Sequence, residues 1–354
     1  MKTNYKQEII MKKVLLVNRG TCNNLGDQAI NVAFEKFLNN EIGCEVICED
    51  YTSKSQNVNI INADQEVSPL KGFLKKILPL NLIWFVRNYN RIKKCIDRNL
   101  PDLIVVGGGQ LLLHGRFSVA AFTWVYLAKK LNKKIVFSNV GYGGSYSWLE
   151  GKLISWAVNH ADGINFRDNS SSKRIDELYN VKSVVSGDIV FTEKALTFCP
   201  EKQTLIALGI TARSVYNMYN PPVEENEYYT IWLGLLEKNN VNINDIVLTY
   251  TTQEDSVECS RFKAYIKERY NVKVSILDNS TLEDYKLNLE SVRLVISGRM
   301  HGLIIAINSG CETITFPISN KLKTFDDILK CNNLENYRQH TSQETKRFIE
   351  NYMQ

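Results

Sequence analysis

The sequence predicts an α/β protein of two Rossmann-like, doubly wound domains that face each other across a cleft. One observation is the length, because 354 residues correspond to two domains of ordinary size. Another is the alternation of short β-rich runs with amphipathic helical stretches, which is typical of parallel sheets with crossover helices. The last is a polar, proline-marked stretch, Phe198-Cys199-Pro200-Glu201-Lys202, which indicates a hinge.

The first domain is predicted over residues 1–198, and its opening unit is the clearest. A buried strand at Val14–Val17 leads through a polar, glycine-bearing turn to Asp27, and the apolar residues from Ile30 to Leu38 then share one helical face. Further strands are expected at Val46–Cys48, Leu103–Val106, Ile135–Ser138, Gly163–Phe166 and Ser183–Val185, and helices at Phe117–Lys130, Trp148–Asn159 and Ser170–Tyr179.

The second domain is predicted over residues 199–333, and residues 334–354 form a final helical tail. Strands are expected at Leu205–Gly209, Asp245–Leu248, Val272–Ile276, Leu294–Ser297 and Thr313–Thr315, and helices at Glu225–Lys238, Val257–Tyr270 and Leu282–Glu290. Open α/β sheets bind ligands at the carboxyl ends of their strands. The turns that follow the strands are therefore the candidate sites.

Composition excludes several classes of protein. A hydrophobic content of 44% with 23% charged residues is that of a globular protein. The eight cysteines are scattered, which predicts reduced thiols and no metal site. The polar start is unlike a secretory signal and no apolar run approaches the roughly 18 residues of a bilayer helix, so a cytoplasmic protein is predicted. No nucleic-acid-reading module accompanies the basic residues, so no nucleic-acid partner is expected.

A basic amphipathic insertion is predicted at about residues 67–96 of the first domain. It contains seven basic residues and no acidic one, although the whole chain is only +5: Lys71, Lys75, Lys76, Arg87, Arg91, Lys93 and Lys94. Because aromatic and aliphatic residues alternate with these charges, the segment is predicted to make peripheral contact with an anionic membrane surface, at its inner face. The alternative is an insertion that covers the cleft with a solvated basic face, and Pro79 excludes one continuous helix.

The turn from Asn18 to Asp27 is the first candidate site. Its small and amide side chains, including Asn24 and Gly26, suit a loop whose backbone N–H groups point at a ligand, with the Asp27 carboxylate fixed near the next helix. An equally good interpretation makes Asn24 and Asp27 ordinary turn and cap residues.

The second candidate is the glycine run Gly107, Gly108 and Gly109, predicted as a turn after a buried strand. Three glycines permit positive φ and let backbone amides approach an anion or a sugar hydroxyl. A tight strand-to-helix connection that needs no ligand explains them nearly as well. His114 and Arg116 follow closely, and either can reach the cleft, although a histidine beside Leu111-Leu112-Leu113 also suits a structural role.

The third and sharpest candidate is the turn Ser297-Gly298-Arg299-Met300-His301, between a buried strand and an apolar helix. It supplies a permanently charged anion clamp, Arg299, and an imidazole that titrates near neutrality, His301. The alternative is an exposed turn with solvated charges, which the apolar flanks disfavour. Arg213 follows an earlier strand in the equivalent place, so two arginines are expected to converge on one site.

Together these residues resemble the polysaccharide pyruvyl transferase family. The resemblance extends over about residues 13–330 and rests on Asn24-Leu25-Gly26-Asp27 with Ala29-Ile30, Gly107-Gly108-Gly109, Arg167-Asp168 with Ser171 or Ser172, and Ser297-Gly298-Arg299-Met300-His301. It implies a fold similar to the GT-B glycosyltransferases. It also implies transfer of pyruvate from phosphoenolpyruvate to two hydroxyls of a glycan sugar, giving a cyclic ketal. In the family a polar or acidic residue often precedes the arginine, where this chain has Gly298.

The implied roles follow the chemistry of the donor. Arg213, Arg299 and Ser297 are expected to bind the carboxylate and phosphate of phosphoenolpyruvate. His301 is expected to protonate the methylene carbon, and Asp27 to orient or deprotonate the acceptor hydroxyl from the opposite domain. Acceptor binding is assigned to Asn24, Gly26, Gly107, Gly108, Gly109, His114 and Arg116. The acceptor is a surface glycan, free or as a lipid-linked oligosaccharide, and neither a metal nor an organic cofactor is required.

Two other functions remain open from the sequence. A nucleotide-sugar-dependent glycosyltransferase would use the same two-domain fold, with Arg299 and His301 holding a diphosphate. A non-catalytic glycan-binding or assembly subunit would bind an acceptor without turnover.

Overall fold

The structure is a computed structural model that describes residues 11–53, 80–197, 199–201, 204–331 and 333–354. Predictions about residues 1–10, about 67–79 in the basic insertion, and about Phe198 and Lys202 in the hinge lie outside these residues. The described residues divide into two compact units. Unit 1 takes 11–21, 31–189 and 340–354, and unit 2 takes 22–30 and 190–339.

Unit 1 contains a six-stranded parallel sheet in the order β2-β1-β3-β4-β5-β6. Its strands are β1 (Lys13–Asn18), β2 (Glu45–Asp50), β3 (Leu103–Leu112), β4 (Lys134–Tyr142), β5 (Gly163–Phe166) and β6 (Val184–Val185). Helix α1 (Leu25–Phe37) follows β1 and divides between the units after Ile30. The helices that lie wholly in unit 1 are α2 (Leu80–Asn99), α3 (Arg116–Lys130), α4 (Trp148–His160) and α5 (Asn169–Tyr179). A π-helical turn, Leu38–Ile42, extends α1, and a 3-10 turn, Ile189–Thr192, follows β6. The core lies between the central strands and α2 to α4, and includes Leu15, Ile104, Phe137 and Trp124.

Unit 2 contains a four-stranded parallel sheet in the order β10-β9-β7-β8. Its strands are β7 (Leu205–Gly209), β8 (Ile246–Leu248), β9 (Val292–Ser297) and β10 (Glu312–Thr315). Its helices are α6 (Arg213–Tyr216), α7 (Glu225–Lys238), α8 (Gln253–Tyr270), α9 (Leu282–Leu289), α10 (Met300–Asn308) and α11 (Asn320–Cys331), with a 3-10 turn at Ile243–Asp245. The last helix, α12 (Leu334–Met353), divides between the units after Gln339.

The α/β class with parallel sheets is confirmed, and two predicted elements differ in type. Val272–Ile276 is not a strand, because Ile276 forms only one bridge, to Leu248, at the end of the three-residue β8. The glycine run is not a turn. Gly107 and Gly109 lie inside β3 and pair with Ser138 and Val140 of β4. Gly108 and Gly109 do adopt the expected positive φ, 73° and 74°.

The compact units divide the chain differently from the predicted domains. The division lies between residues 189 and 190, nine residues before the predicted boundary. Residues 22–30 group with unit 2, and residues 340–354 of the tail group with unit 1. Asp27 therefore belongs to the same unit as Arg299 and His301, and its expected place in the opposite domain is wrong.

Among the described residues, no helix has both the length and the hydropathy needed to cross a bilayer.

Candidate functional site

The carboxyl ends of β7, β8 and β9 lie at one edge of the unit 2 sheet because the strands are parallel. Helices α6, α8 and α10 begin shortly after these strands. The loop that opens α1, residues 22–27, belongs to the same unit. Three contacts tie the starts of α1, α8 and α10 to one another in pairs.

The first contact joins α1 to α8. The Leu25 N–H donates to the carbonyl of Thr251 at 3.0 Å, and Thr252 next to it caps α8. Within the loop, Asn24 Oδ1 accepts from the Gly26 N–H at 2.9 Å, and the Cys22 thiol donates to Asp27 Oδ2 at 3.2 Å. Asn24 thus acts as a turn residue, and the loop holds the Asp27 carboxylate in the first turn of α1.

The second contact joins α1 to α10 through Gly26 and His301. A Cβ atom on Gly26 would lie 2.8 Å from His301 Cβ and 3.2 Å from its Cγ. Real Cβ atoms do not approach this closely, so only glycine fits here. His301 itself is partly exposed. Its close contact with Gly26 places it beside the loop that carries Asp27.

The third contact joins α8 to α10 through an ion pair. Arg299 Nε and Nη2 donate to the two carboxylate oxygens of Asp255 at 2.8 and 2.7 Å. Asp255 is 1% exposed and Arg299 is 25% exposed, so the carboxylate is enclosed while the guanidinium reaches the surface. Nη1 of Arg299 donates no hydrogen bond to any other described residue. Asp255 therefore already occupies the two nitrogens, Nε and Nη2, that could bind an anion side by side. Nη1 is the nitrogen left for a ligand.

Asp255 and Glu258, which organise this region, are absent from the predicted site. Asp255 Oδ1 also accepts the Ala212 N–H at 2.9 Å. Glu258 accepts the Arg213 N–H at 2.9 Å and the Tyr229 hydroxyl at 2.7 Å. Both carboxylates are buried on the face of α8 that also buries Cys259, Phe262 and Ile266. The sequence did contain a signal for these two carboxylates, because helical spacing places them on the same face as the buried apolar residues of α8.

Arg213 and Arg299 are bound to different partners. Arg213 Nη1 donates to the carbonyl of Val223 at 2.8 Å and lies 3.9 Å from a carboxylate oxygen of the exposed Glu224. The described contacts therefore occupy Arg213 with the segment before α7 and do not bring its guanidinium to Arg299.

Ser297 and Gly298 shape the turn before α10. Ser297 Oγ donates to the Gly209 carbonyl at 3.2 Å and accepts the Arg299 N–H at 3.1 Å, so its hydroxyl fixes the turn. A Cβ on Gly298 would lie 2.6 Å from Thr211 Oγ1, and Thr211 is fully buried. This close approach explains why glycine replaces the polar residue often found before the arginine.

A small cavity of about 10 Å³ lies beside the Arg299–Asp255 pair, about the space for one water molecule. Thr251, Tyr285 and Ser297 contribute to its walls. Burial raises the pKa of Tyr285 well above its usual value, so its phenol stays protonated. It donates to the Gly302 carbonyl at 3.2 Å in the first turns of α10.

The remaining predicted residues belong to unit 1. Gly107, Gly108 and Gly109 are buried inside β3, and His114 and Arg116 are exposed just after it. The Gly115 N–H between them donates to Glu150 at 2.5 Å. The glycines thus form part of the sheet, whereas His114 and Arg116 remain accessible at its carboxyl edge.

Arg167 and Asp168, which follow β5, also belong to unit 1. Asp168 caps α5 by accepting the Ser171 N–H at 2.7 Å. The Arg167 side chain is 3% exposed and lies 3.2 Å from Asp188. This arginine is enclosed by protein. Among the residues described, no group of three or more His, Cys, Asp or Glu side chains is arranged to hold a metal ion.

Solved structures with similar folds include UDP-N-acetylglucosamine 2-epimerases. A Listeria monocytogenes protein assigned as a UDP-N-acetylglucosamine 2-epimerase is 15% identical, with a TM-score of 0.50 over 94% of this chain and 91% of its own. MnaA of S. aureus, in a co-structure with UDP, is 12% identical with a TM-score of 0.49 over 94% and 91%. The UDP-GlcNAc 2-epimerase of Methanocaldococcus jannaschii is 11% identical with a TM-score of 0.48 over 96% and 99%. At such identities the likeness shows the fold alone, which is GT-B-like.

A comparison with curated proteins finds no match. The family model for polysaccharide pyruvyl transferase matches residues 24–320, which is most of the chain. The match begins at Asn24 in the α1 loop and includes Asp255, Arg299 and His301. The chain therefore belongs to the polysaccharide pyruvyl transferase family.

Proposed function

We propose that this protein transfers pyruvate from phosphoenolpyruvate to two hydroxyls of a glycan sugar and forms a cyclic ketal. The observation that carries the proposal is the pairwise contact among the starts of α1, α8 and α10. The aligned peptide dipoles of each helix are equivalent to about half a positive charge at its amino terminus. Three such termini beside the exposed edge of Arg299 favour a small ligand with several negative charges, as phosphoenolpyruvate has.

The proposed reaction assigns one proton transfer to His301 and another to Asp27. His301, as an imidazolium, gives a proton to the methylene carbon of phosphoenolpyruvate, and an oxocarbenium-like centre develops on the adjacent carbon. A sugar hydroxyl attacks that carbon and loses its proton to Asp27. A second hydroxyl then displaces phosphate, whose departure carries away the remaining proton. The proton taken up by Asp27 then returns to the neutral His301, which restores both groups. The products are the ketal and inorganic phosphate, so atoms and charges balance.

Arg299 would stabilise the leaving phosphate through Nη1 while Asp255 holds the guanidinium plane. A fixed donor costs no reorganisation when charge develops in the transition state, which is why such groups have large effects on rate. Asn24 and Gly26 would act by holding Asp27 and His301 side by side. The acceptor is a surface glycan or its lipid-linked precursor.

The test uses His301→Ala, with His340→Ala as the matched control because His340 is an exposed histidine on α12. Phosphate release from phosphoenolpyruvate, with a candidate glycan present, should fall about 100- to 10,000-fold in the first variant and stay unchanged in the second. Mass spectrometry of the glycan should show the added pyruvate less one water. Turnover of His301→Ala at the unaltered rate would refute the assignment.

A thermal-shift comparison tests the competing hypothesis of a nucleotide-sugar-dependent enzyme. Phosphoenolpyruvate should raise the unfolding temperature, because a ligand that binds only the folded state stabilises it. Stabilisation by uridine diphosphate and not by phosphoenolpyruvate would reverse the choice. Binding of a glycan without turnover of either donor would indicate a binding subunit.

A further inference from the structure

Helices α2, α3 and α4 form an outer layer of unit 1 on one side of its sheet. The crossovers β3-α3-β4 and β4-α4-β5 run in the same direction across the sheet, so right-handed connections place both helices on one face. Helix α3 packs between α2 and α4. Two features of the outward surface of these three helices bear on what it binds.

Its first peculiarity is a continuous strip of partly exposed aromatic rings. Phe122 on α3 lies 6.2 Å from Phe85 on α2 and 4.9 Å from Trp156 on α4, measured between ring centroids. The strip, here called the aromatic strip, consists of Phe85, Tyr89, Phe122, Tyr126, Trp156 and His160. The exposed Lys130 lies over Tyr89 and Tyr126, 5.7 and 5.9 Å from their centroids.

The second peculiarity is charge. The three helices contain nine lysines and arginines against two acidic residues, Asp97 and Glu150. The basic residues are Arg87, Arg91, Lys93, Lys94, Arg98, Arg116, Lys129, Lys130 and Lys152. The complete chain has 43 basic and 38 acidic residues, so everything outside these helices is net negative. The net excess of positive charge in the chain therefore lies in these three helices.

Exposed apolar side chains accompany the charge at one end of the layer. Leu82 and Val86 near the start of α2 are 45% and 64% exposed, and Trp148 and Leu149 at the start of α4 are 78% and 42% exposed. Helices in crossover units run opposite to their strands, so both helix starts lie toward the carboxyl edge of the sheet. The exposed His114 and Arg116 lie at the same edge.

We propose that the outer layer formed by α2, α3 and α4 binds the surface of a bilayer that contains anionic phospholipid. Lysines and arginines near such a surface contribute about 1 kcal/mol each. Tryptophan and tyrosine favour the boundary between headgroups and acyl chains, where one side of the ring is apolar and the other is wet. Leu82, Val86 and Leu149 offer nothing that a sugar hydroxyl could bond, whereas acyl chains accept them, and this favours a lipid surface over an acidic polysaccharide.

Binding to vesicles tests the proposal directly. Co-sedimentation should require phosphatidylglycerol in phosphatidylcholine vesicles and should weaken as salt rises, because salt screens exposed charges. Replacing Lys93, Lys94, Lys130 and Lys152 with Ser should lower the partition coefficient about five-fold per charge, hence several-hundred-fold in total. The control replaces the exposed Lys238, Lys263, Lys267 and Lys273 of unit 2 with Ser, and should bind as well as the unaltered protein.

A second variant removes apolar contacts and leaves the charge unchanged. Leu82→Ser combined with Trp148→Ser changes only exposed residues, so the unfolding temperature should stay the same while vesicle binding weakens. Equal binding by the four-lysine variant, or equal loss in its control, would overturn the proposal. Capture by dextran sulfate without binding to vesicles would also overturn it.

The membrane surface is independent of the reaction proposed above. Phosphate release from phosphoenolpyruvate with a water-soluble acceptor should be the same in the four-lysine variant as in the unaltered protein. A failure of the pyruvyl-transfer hypothesis would leave the vesicle result standing, so the two can be told apart.

Discussion

Arg167 and Arg299 occupy matching places in the two units. Each comes within two residues of the end of a parallel strand, β5 or β9, and each pairs with a buried aspartate. The Arg167 side chain is 3% exposed, beside Asp188 at 7%, whereas Arg299 is 25% exposed, beside Asp255 at 1%. The comparison teaches that an arginine at the carboxyl edge of a sheet holds the fold when it is enclosed, and is available to a ligand when one edge of it is left outside.

The largest effect is expected when Arg167 is removed. Arg167→Met should lower the free energy of unfolding by about 3–5 kcal/mol, because it removes the guanidinium that lies 3.2 Å from the buried carboxylate of Asp188. Urea denaturation measures this change. Arg174→Met is the control, since its pair with Glu177 is about half exposed and should contribute at most about 1 kcal/mol. If both variants were equally stable, the enclosed pair would have no structural role.

Arg299 should show the opposite pattern. Arg299→Met is expected to reduce turnover of phosphoenolpyruvate about 100- to 1,000-fold, and Arg299→Lys, which keeps a cation beside the buried Asp255, should reduce turnover with a smaller loss of stability than Arg167→Met. Arg293→Met is a matched control on β9, because its pair with Glu312 is exposed. Full turnover in Arg299→Met, together with a large loss of stability, would make the two arginines alike.

Asp255 should act as a positioning residue for Arg299. Asp255→Asn keeps an acceptor for the Ala212 N–H but loses the charged grip on the guanidinium. Because a small misplacement of a binding group is costly, kcat/KM for phosphoenolpyruvate should fall about 10- to 100-fold. Comparison with Arg299→Met and the double variant separates positioning from structure. Independent, additive losses would contradict a role through Arg299.

The smallest effects on stability are expected from substitutions of the glycine that lies beside each arginine. A Cβ on Gly141 would lie 2.8 Å from Arg167 Nε, which cannot move away, whereas a Cβ on Gly302 would meet Thr251 Cγ2 at 3.2 Å and Arg299 Cβ at 3.5 Å. Gly141→Ala should cost about 1–3 kcal/mol of stability. Gly302→Ala should change stability by less than about 1 kcal/mol, since a better helix residue offsets the tight contact. Thermal unfolding measures both, and the reverse order would contradict the enclosure of Arg167.

Periodicity in the sequence predicted most elements because local patterns and packing agree in them. Strand β7 and helix α7 have the predicted bounds. The glycine run failed because sheet pairing overrides the local tendency of glycine to end a strand. Val272–Ile276 has the composition of a strand, yet β8 is too short to pair with more than its end.

The candidate site was only partly predictable for a different reason. Arg299 and His301 are conspicuous because a polar turn interrupts apolar flanks. Asp255 and Glu258 were readable from the buried stripe of α8, but the predicted helix began after Asp255. The contact of Leu25 with Thr251 had no local signal, because it joins segments that only tertiary folding brings together.

The membership of residues 22–30 in unit 2 has a consequence for the order of folding. This segment emerges early during synthesis, but its partners Thr251 and His301 are translated more than 200 residues later. Closing so long a loop is slow compared with forming local helices. We expect a fragment that begins at residue 190 to gain donor affinity when a synthetic peptide of residues 22–37 is added. One of the earliest segments of the nascent chain would then dock late in its maturation.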